Sequence, residues 1–202
     1  MMTIDLYVSD PTLTGERGHA LAAHVLHTIT AADSAPDEVM ARAREFTHVL
    51  VHQPAAWSTG GPSLSDAPRY LARVTVPGSW AGPGFGDGII PLITDAIAEF
   101  EGDPQRLRTD PHCVVQILGV REHNLGTTGR TTTAIELTKM MTADYDSDAD
   151  TRDIPEGYGV DPVCGMTLEI ATAEFTLTHN GETRVFCAPV CRKVFAEEHA
   201  LT

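Results

Sequence analysis

Cysteine is scarce in this chain, with four residues among 202, at positions 113, 164, 187 and 191. So few thiols exclude the cross-linked framework of a small secreted domain. Positive charge is also scarce. Fourteen Lys and Arg stand against 28 Asp and Glu, for a formal charge of −14, which argues against a nucleic-acid partner, since such partners are bound through a basic face that releases counterions. No apolar run approaches the roughly 18 residues of a membrane-spanning helix. The opening MMTIDLYVSD has neither a basic leader nor an apolar signal core. These absences predict a cytoplasmic protein with no membrane partner.

What is present is an ordinary apolar fraction, 42%, enough for one large domain or two modest ones. The acidic charge is uneven. The stretch TADYDSDADTRDIPEG, residues 142–157, holds six acidic residues and one basic residue and has no apolar periodicity, so it reads as a solvated acidic linker. Its aspartates at 144, 146, 148 and 150 invite a calcium-loop reading. That reading fails, because the loop needs Gly at its sixth position and Glu at its twelfth, where this run has Ala149 and Pro155. The linker therefore separates residues 1–141 from residues 158–202.

The front domain reads as a repeat. Ile4 to Val8 alternates as a strand, and Leu13, Leu21, Val25 and Ile29 follow at helical spacing, with Thr14 as the N-cap. A strand THVLVHQ leads to PAAWSTGG, where Gly60 and Gly61 mark a turn. The same order recurs as YLARVTV, a Gly-rich loop, the helix GIIPLITDAIAEFEG, the strand CVVQILGV and a closing REHNLGTTG. Two β-α-β units, about 3–61 and 69–130, predict a two-layer α+β sandwich. Both the ferredoxin-like plait and the tautomerase sandwich have this order.

AAWSTGGPS after the second strand, with HNLGTTG at the equivalent place in the second unit, resembles the turns that close the sheet in the tautomerase superfamily. That resemblance spans about Thr3 to Arg130 and implies a fused pair of units assembling as a homotrimer around a pocket for a small-molecule ligand. It also implies an N-terminal proline as base, with arginines holding substrate carboxylates. The chain departs here, beginning Met1-Met2-Thr3. Pro77 is internal, and its tertiary amide nitrogen accepts no proton in this way. A standard tautomerase is therefore not expected. Arg73, with Arg69 and Arg17, is the candidate for the arginine role, and Thr3 or a primary amine for residual activity.

Other reactive side chains in this region have plain structural readings beside the functional ones. His24 and His27, and His48 and His52, have spacings that let each pair share a face, but no HExxH pattern accompanies them. Cys113, at the start of an apolar strand, reads as a buried thiol. GPGFGDG, residues 82–88, lacks the Lys-Ser/Thr of a phosphate loop and reads as a mobile pocket rim.

The tail carries the more specific pattern. After DPVCGM, residues 161–166, come two apolar stretches flanking Asn180-Gly181, a hairpin signal. CAPVCRKVFAEEHA then reads as a helix, with Pro189 in its first turn and Val190, Val194 and Phe195 on one face. Cys187 and Cys191 are four apart at the helix N-terminus, where the dipole favours thiolate, and the hairpin can return Cys164 to them. Three thiolates suit a soft metal, Zn²⁺ or Cu(I) on ligand type.

The spacing C-x22-C-x3-C, with DPVCGM and FCAPVC around it, resembles the YHS domain of the TRASH-like metal-binding group, from about Gly159 to His199. Arg184-Val185 stands where that group has aromatic residues. The resemblance implies transition- or heavy-metal binding with Cys164, Cys187 and Cys191 as ligands. A fourth position stays open to His179, His199, a water or exchange. A disulfide between two of the thiols, or buried metal-free cysteines, are the structural readings. The sequence thus predicts a metal-binding protein for handling, sensing or resistance on an oligomeric tautomerase-like scaffold. Its rival is a tautomerase, hydratase or dehalogenase with an accessory YHS module.

Overall fold

Alternating buried and half-buried residues along MTIDLYV form a strand with one inward face, Ile4, Leu6 and Val8. The computed structural model describes residues 1–31, 35–60 and 67–201. In chain order the elements are β1 (Met2–Val8), α1 (Gly15–Ala31), α2 (Asp37–Glu45), β2 (Thr47–His52), β3 (Tyr70–Pro77), α3 (Pro83–Glu101), α4 (Arg106–Thr109) and β4 (Cys113–Val120). There follow β5 (Gly126–Thr127), β6 (Arg130–Thr131), α5 (Ala134–Met141), β7 (Tyr158–Val160), β8 (Thr167–Glu169), β9 (Phe175–His179), β10 (Glu182–Phe186) and α6 (Pro189–Glu198). Among the described residues no helix is long and apolar enough to cross a membrane.

The chain divides into two compact units, Met1–Ala32 with Thr47–Val120, and Asp33–Phe46 with Arg121–Thr202. In the first, the strand order is β2-β1-β3-β4. β1 runs parallel to β2, β3 parallel to β4, and the two pairs join antiparallel through β1 and β3, Leu6 opposite Ala72. Each β-α-β unit thus keeps its strands adjacent, as the tautomerase sandwich requires and the split ferredoxin-like plait does not. α1 and α3 cover one sheet face: Leu21, Val25, Ile93 and Ile97 meet Ile4, Leu6, Val74 and Val76, all fully buried. Each such side chain contributes about 1.5–3 kcal/mol on burial. The other face stays open and carries Leu50 (45% exposed), Val114 (50%) and Leu118 (45%).

Three sequence expectations change here. Residues 83–88 form the start of α3 and not a mobile rim, because Pro83 at the first position has the helical φ preset and its missing N–H is needed by no partner. Leu13 is buried, but lies before the helix, whose first backbone bond runs from Gly18 N–H to the Thr14 carbonyl. The short α2, with Val39 and Met40 buried, was not foreseen between α1 and β2. The end of the AAWSTGGPS turn, from Gly61 onward, lies outside the described residues.

In the second unit, α5 packs against α6 and α2 against α5. α5 opens with a reciprocal cap: Glu136 N–H donates to Thr133 Oγ1 at 3.1 Å, and Thr133 N–H to Glu136 Oε2 at 2.8 Å. Residues 142–157, expected to be a free linker, are tied down within this unit. Arg42 donates to Asp144 at 2.6 Å, and Tyr145 Oη to Asp150 at 3.0 Å. Contact therefore groups 121–157 and α2 with the tail, whereas composition had put the boundary at 142. Paired charges on a short segment make fixed turns where composition alone suggests a solvated coil.

Candidate metal centre

DPVCGM is the loop joining β7 to β8, whose last pair is Val160 opposite Thr167. The loop closes on itself: Asp161 N–H donates to the Met166 carbonyl at 2.9 Å, and Gly165 N–H to the Asp161 carbonyl at 2.8 Å. Gly165 has φ +71°, and a Cβ there would stand 2.6 Å from the Pro36 ring and 2.7 Å from Tyr145. Backbone conformation and close approach both require glycine. Arg152, paired with Asp150 at 2.7 Å, also donates to the Gly165 carbonyl.

The β9–β10 hairpin turns at Asn180 (φ +51°) and Gly181 (φ +83°), the double left-handed conformation of a two-residue turn. It delivers buried Phe186 and then Cys187 to the start of α6. Ala188 is the N-cap and Pro189 occupies the first turn, so Cys187 lies just ahead of the helix and Cys191 within its first turn. The sulfurs converge: Sγ of Cys187 stands 3.6 Å from Sγ of Cys164 and 3.6 Å from Sγ of Cys191, without a disulfide.

A fourth group joins them. One carboxylate oxygen of Asp161 lies with the three sulfurs in a set whose members are all within 4.8 Å of one another. Among the described residues this is the one set of three or more Cys, His, Asp or Glu side chains so arranged. Asp161 is 0% exposed. Its carboxylate accepts from Val163 N–H at 2.9 Å and from Cys187 N–H at 2.8 Å, which ties the loop to the approach of α6.

These donors fit a thiophilic cation. Zn–S bonds of about 2.3 Å in a tetrahedron set sulfurs roughly 3.8 Å apart, close to the 3.6 Å found here. The proton arrangement without a cation points the same way. Cys164 falls well below the ordinary thiol range because the Cys187 and Cys191 thiols donate to it. Cys187 and Cys191 rise above that range, Cys187 through its hydrogen bonds to both neighbours and burial, Cys191 chiefly through Cys164. The three sulfurs thus act on one another's protons through direct contact, beside the field of the helix end. Burial, followed by the Cys164 charge, raises Asp161 to about 6.

His179 and His199 are not in this set. Their rings meet each other at 4.9 Å, and His199 stacks on Phe195 at 4.0 Å. His199 Nδ1 lies 2.9 Å from the Phe195 carbonyl, so it closes the end of α6.

The front-unit candidates do not converge on one another. Arg73 is exposed on the open sheet face, 5.4 Å over the Tyr7 ring and 3.3 Å from Gln116 Oε1. With Tyr7, Pro54, Trp57 and Leu71 it lines a cavity of about 240 Å³. Thr3 pairs with His48 and Thr75 in the sheet. Arg69 is buried and donates to the Ala67 carbonyl, and Arg17 donates to Thr12. His52 Nε2 is 2.7 Å from Asp5, and His24 is 3.6 Å from Glu99. Burial raises Cys113 to about 11, as for an inert thiol. A larger cavity, about 420 Å³, lies at the β5–β6 hairpin and includes His123 and Arg130 but none of the cysteines.

No protein-family model matches the chain, and no curated protein matches it. Solved structures do resemble it. Pt0534 inactivated by 2-oxo-3-pentynoate shares 14% identity at a TM-score of 0.49 over 64% of this chain and 94% of that one. The macrophage migration inhibitory factor from Oncomelania hupensis shares 16% at 0.47, over 65% and 97%. The R7 fused 4-OT asymmetric trimer shares 17% at 0.46, over 64% and 94%.

Asp161 was read from sequence only as a turn former. Its neighbour Pro162 and the N–H two residues on do make that turn, but the carboxylate's second bond, to Cys187, spans 26 residues. The only local signal was an acidic residue three before a candidate ligand.

Proposed function

We propose that this chain binds a transition or heavy metal ion through Cys164, Cys187 and Cys191, in metal handling, sensing or resistance. The observation that carries the reading is the convergence of three uncrosslinked sulfurs at the start of a helix, Cys187 standing 3.6 Å from each of the other two. The YHS-like spacing of residues 158–202 supports it, and the ligand type favours Zn²⁺ or Cu(I). When bound, such an ion supplies a charge that lets all three sulfurs ionise together. The chain's part is to fix the donors: the β7–β8 loop delivers Cys164, the β9–β10 hairpin returns Cys187, and the first turn of α6 presents Cys191. On this reading the front unit serves as a cytoplasmic scaffold, expected to be a homotrimer, and the exposed Leu50, Val114 and Leu118 on its open sheet face support that assembly.

Elemental analysis of protein purified under reducing conditions tests the proposal. Stoichiometric metal is expected in the wild type and its loss in Cys187→Ser and Cys191→Ser. Metal-free wild type that takes up neither Zn²⁺ nor Cu(I) overturns the reading. A monomer in sedimentation overturns the trimer.

A second reading, small-molecule catalysis of the tautomerase, hydratase or dehalogenase type, is favoured by the cavity in which Arg73 stands beside Tyr7 and Trp57. Ketonisation of an enol-pyruvate substrate that exceeds buffer and falls in Arg73→Ala supports it. Absence of turnover removes it.

A further inference from the structure

The donor set at the cysteine cluster extends beyond its three sulfurs. Asp161 is the only acidic side chain among the described residues that is classed as buried, and it is wholly so. Its carboxylate accepts backbone N–H groups of Val163 and Cys187 and meets the thiols of Cys187 and Cys164. A carboxylate offers about four lone-pair positions, and the two amides occupy one on each oxygen. Among the described residues no Lys, Arg or His forms an ion pair with it. A buried carboxylate without a cationic partner either takes up a proton or meets a cation. One of its oxygens already stands in the same set as the three sulfurs.

Charge and donor type then say what the carboxylate does for selectivity. Three thiolates and one carboxylate sum to −4, which a divalent ion halves and a monovalent ion barely offsets. Carboxylate oxygen is a regular donor to Zn²⁺, whereas Cu(I) is selected by soft sulfur. The Val163 and Cys187 amides, one on each oxygen, orient the group as hydrogen-bonded carboxylate ligands are oriented in metal sites.

We propose that Asp161 is a fourth, oxygen ligand, which converts a three-thiolate pocket into a four-donor centre and strengthens binding of a divalent tetrahedral ion relative to Cu(I). This rests on the three-cysteine reading above. The two fail differently: without thiolate ligation the Co²⁺-substituted wild type lacks sulfur-to-metal charge transfer, whereas without the Asp161 bond that band remains and only the tests below fail.

The full chain, wild type and Asp161→Asn, is titrated with Zn²⁺ and with Cu(I) against chromophoric competitors. The expected result is a Zn²⁺ affinity lowered about 10–100-fold with Cu(I) affinity nearly unchanged. An equal loss for both ions makes Asp161 a loop-positioning residue and overturns the proposal, as does no loss for either. Asp161→Cys provides the direct measurement. X-ray absorption of its Zn²⁺ form is expected to show four sulfurs where the wild type shows three and one lighter atom at about 2.0 Å. Three sulfurs in both proteins overturn the assignment. Should neither variant fold, wild-type Zn²⁺ protein showing sulfur neighbours alone overturns it equally.

Discussion

The two units are stabilised by different means. The first places a four-stranded sheet under α1 and α3, and its buried cluster joins residues far apart in sequence, from Ile4 to Leu107. Its cohesion is apolar area. The second has strands of two to five residues, and beside buried Leu137, Phe186, Val194 and Phe195 it carries specific polar ties: the Thr133–Glu136 cap, Arg42 on Asp144, Arg152 on Asp150, and Asp161 on two amides. A unit with so little sheet gains most from a staple, and its four converging donors are where one fits. The difference teaches that an acidic unit with little sheet can gather order around a site where the other unit is ordered around its sheet.

Metal removal gives the largest expected contrast. A ligand held at a thousandfold excess over its Kd stabilises by about 4 kcal/mol. Chelation should therefore raise hydrogen exchange in β7–β10 and α6 and leave β1–β4 protected. Equal loss of protection in both units would break the comparison. Next, Ile97→Ala, at a fully buried position under the sheet, should cost about 3 kcal/mol in denaturant unfolding while metal stoichiometry stays unchanged. Gly165→Ala forces an L residue to φ +71° against the Pro36 ring and should cost about 1–2 kcal/mol, with metal affinity reduced. A neutral result would show that the loop tolerates movement.

The smallest effect concerns the cap of α5. Thr133→Ala should lower stability by about 1 kcal/mol. Glu136 is held down to about 2, first by the Thr133 amide and then by Arg130. Because its folded value is depressed, its contribution is present above its ordinary value of about 4.5 and is lost as pH falls toward 2. Stability profiles of Glu136→Gln and wild type should converge in that window.

Much of this molecule was legible residue by residue. Alternation marked β1 and β3, helical spacing marked α1 and the body of α3, and Asn180-Gly181 marked the hairpin that returns Cys187. Less was legible where one residue type serves two states. The glycines of 82–88 look like a loop, yet Pro83 starts a helix there. The Asp-rich run looks like a coil, yet Arg42 and Arg152 fold it. α2 and α5 were missed because each is short, and its apolar face is defined by the helix it packs against.

The sequence by itself determined the two-unit repeat of the front, the polarity of its strands and the identity of three thiols, because periodicity, turn residues and ligand chemistry are local properties. Only the tertiary structure decided that β1 and β3 join the repeats, that the acidic run belongs with the tail, and that Asp161 rather than His179 or His199 stands beside the sulfurs. Those outcomes depend on contacts across tens of residues, where burial and hydrogen bonding act on distance in space.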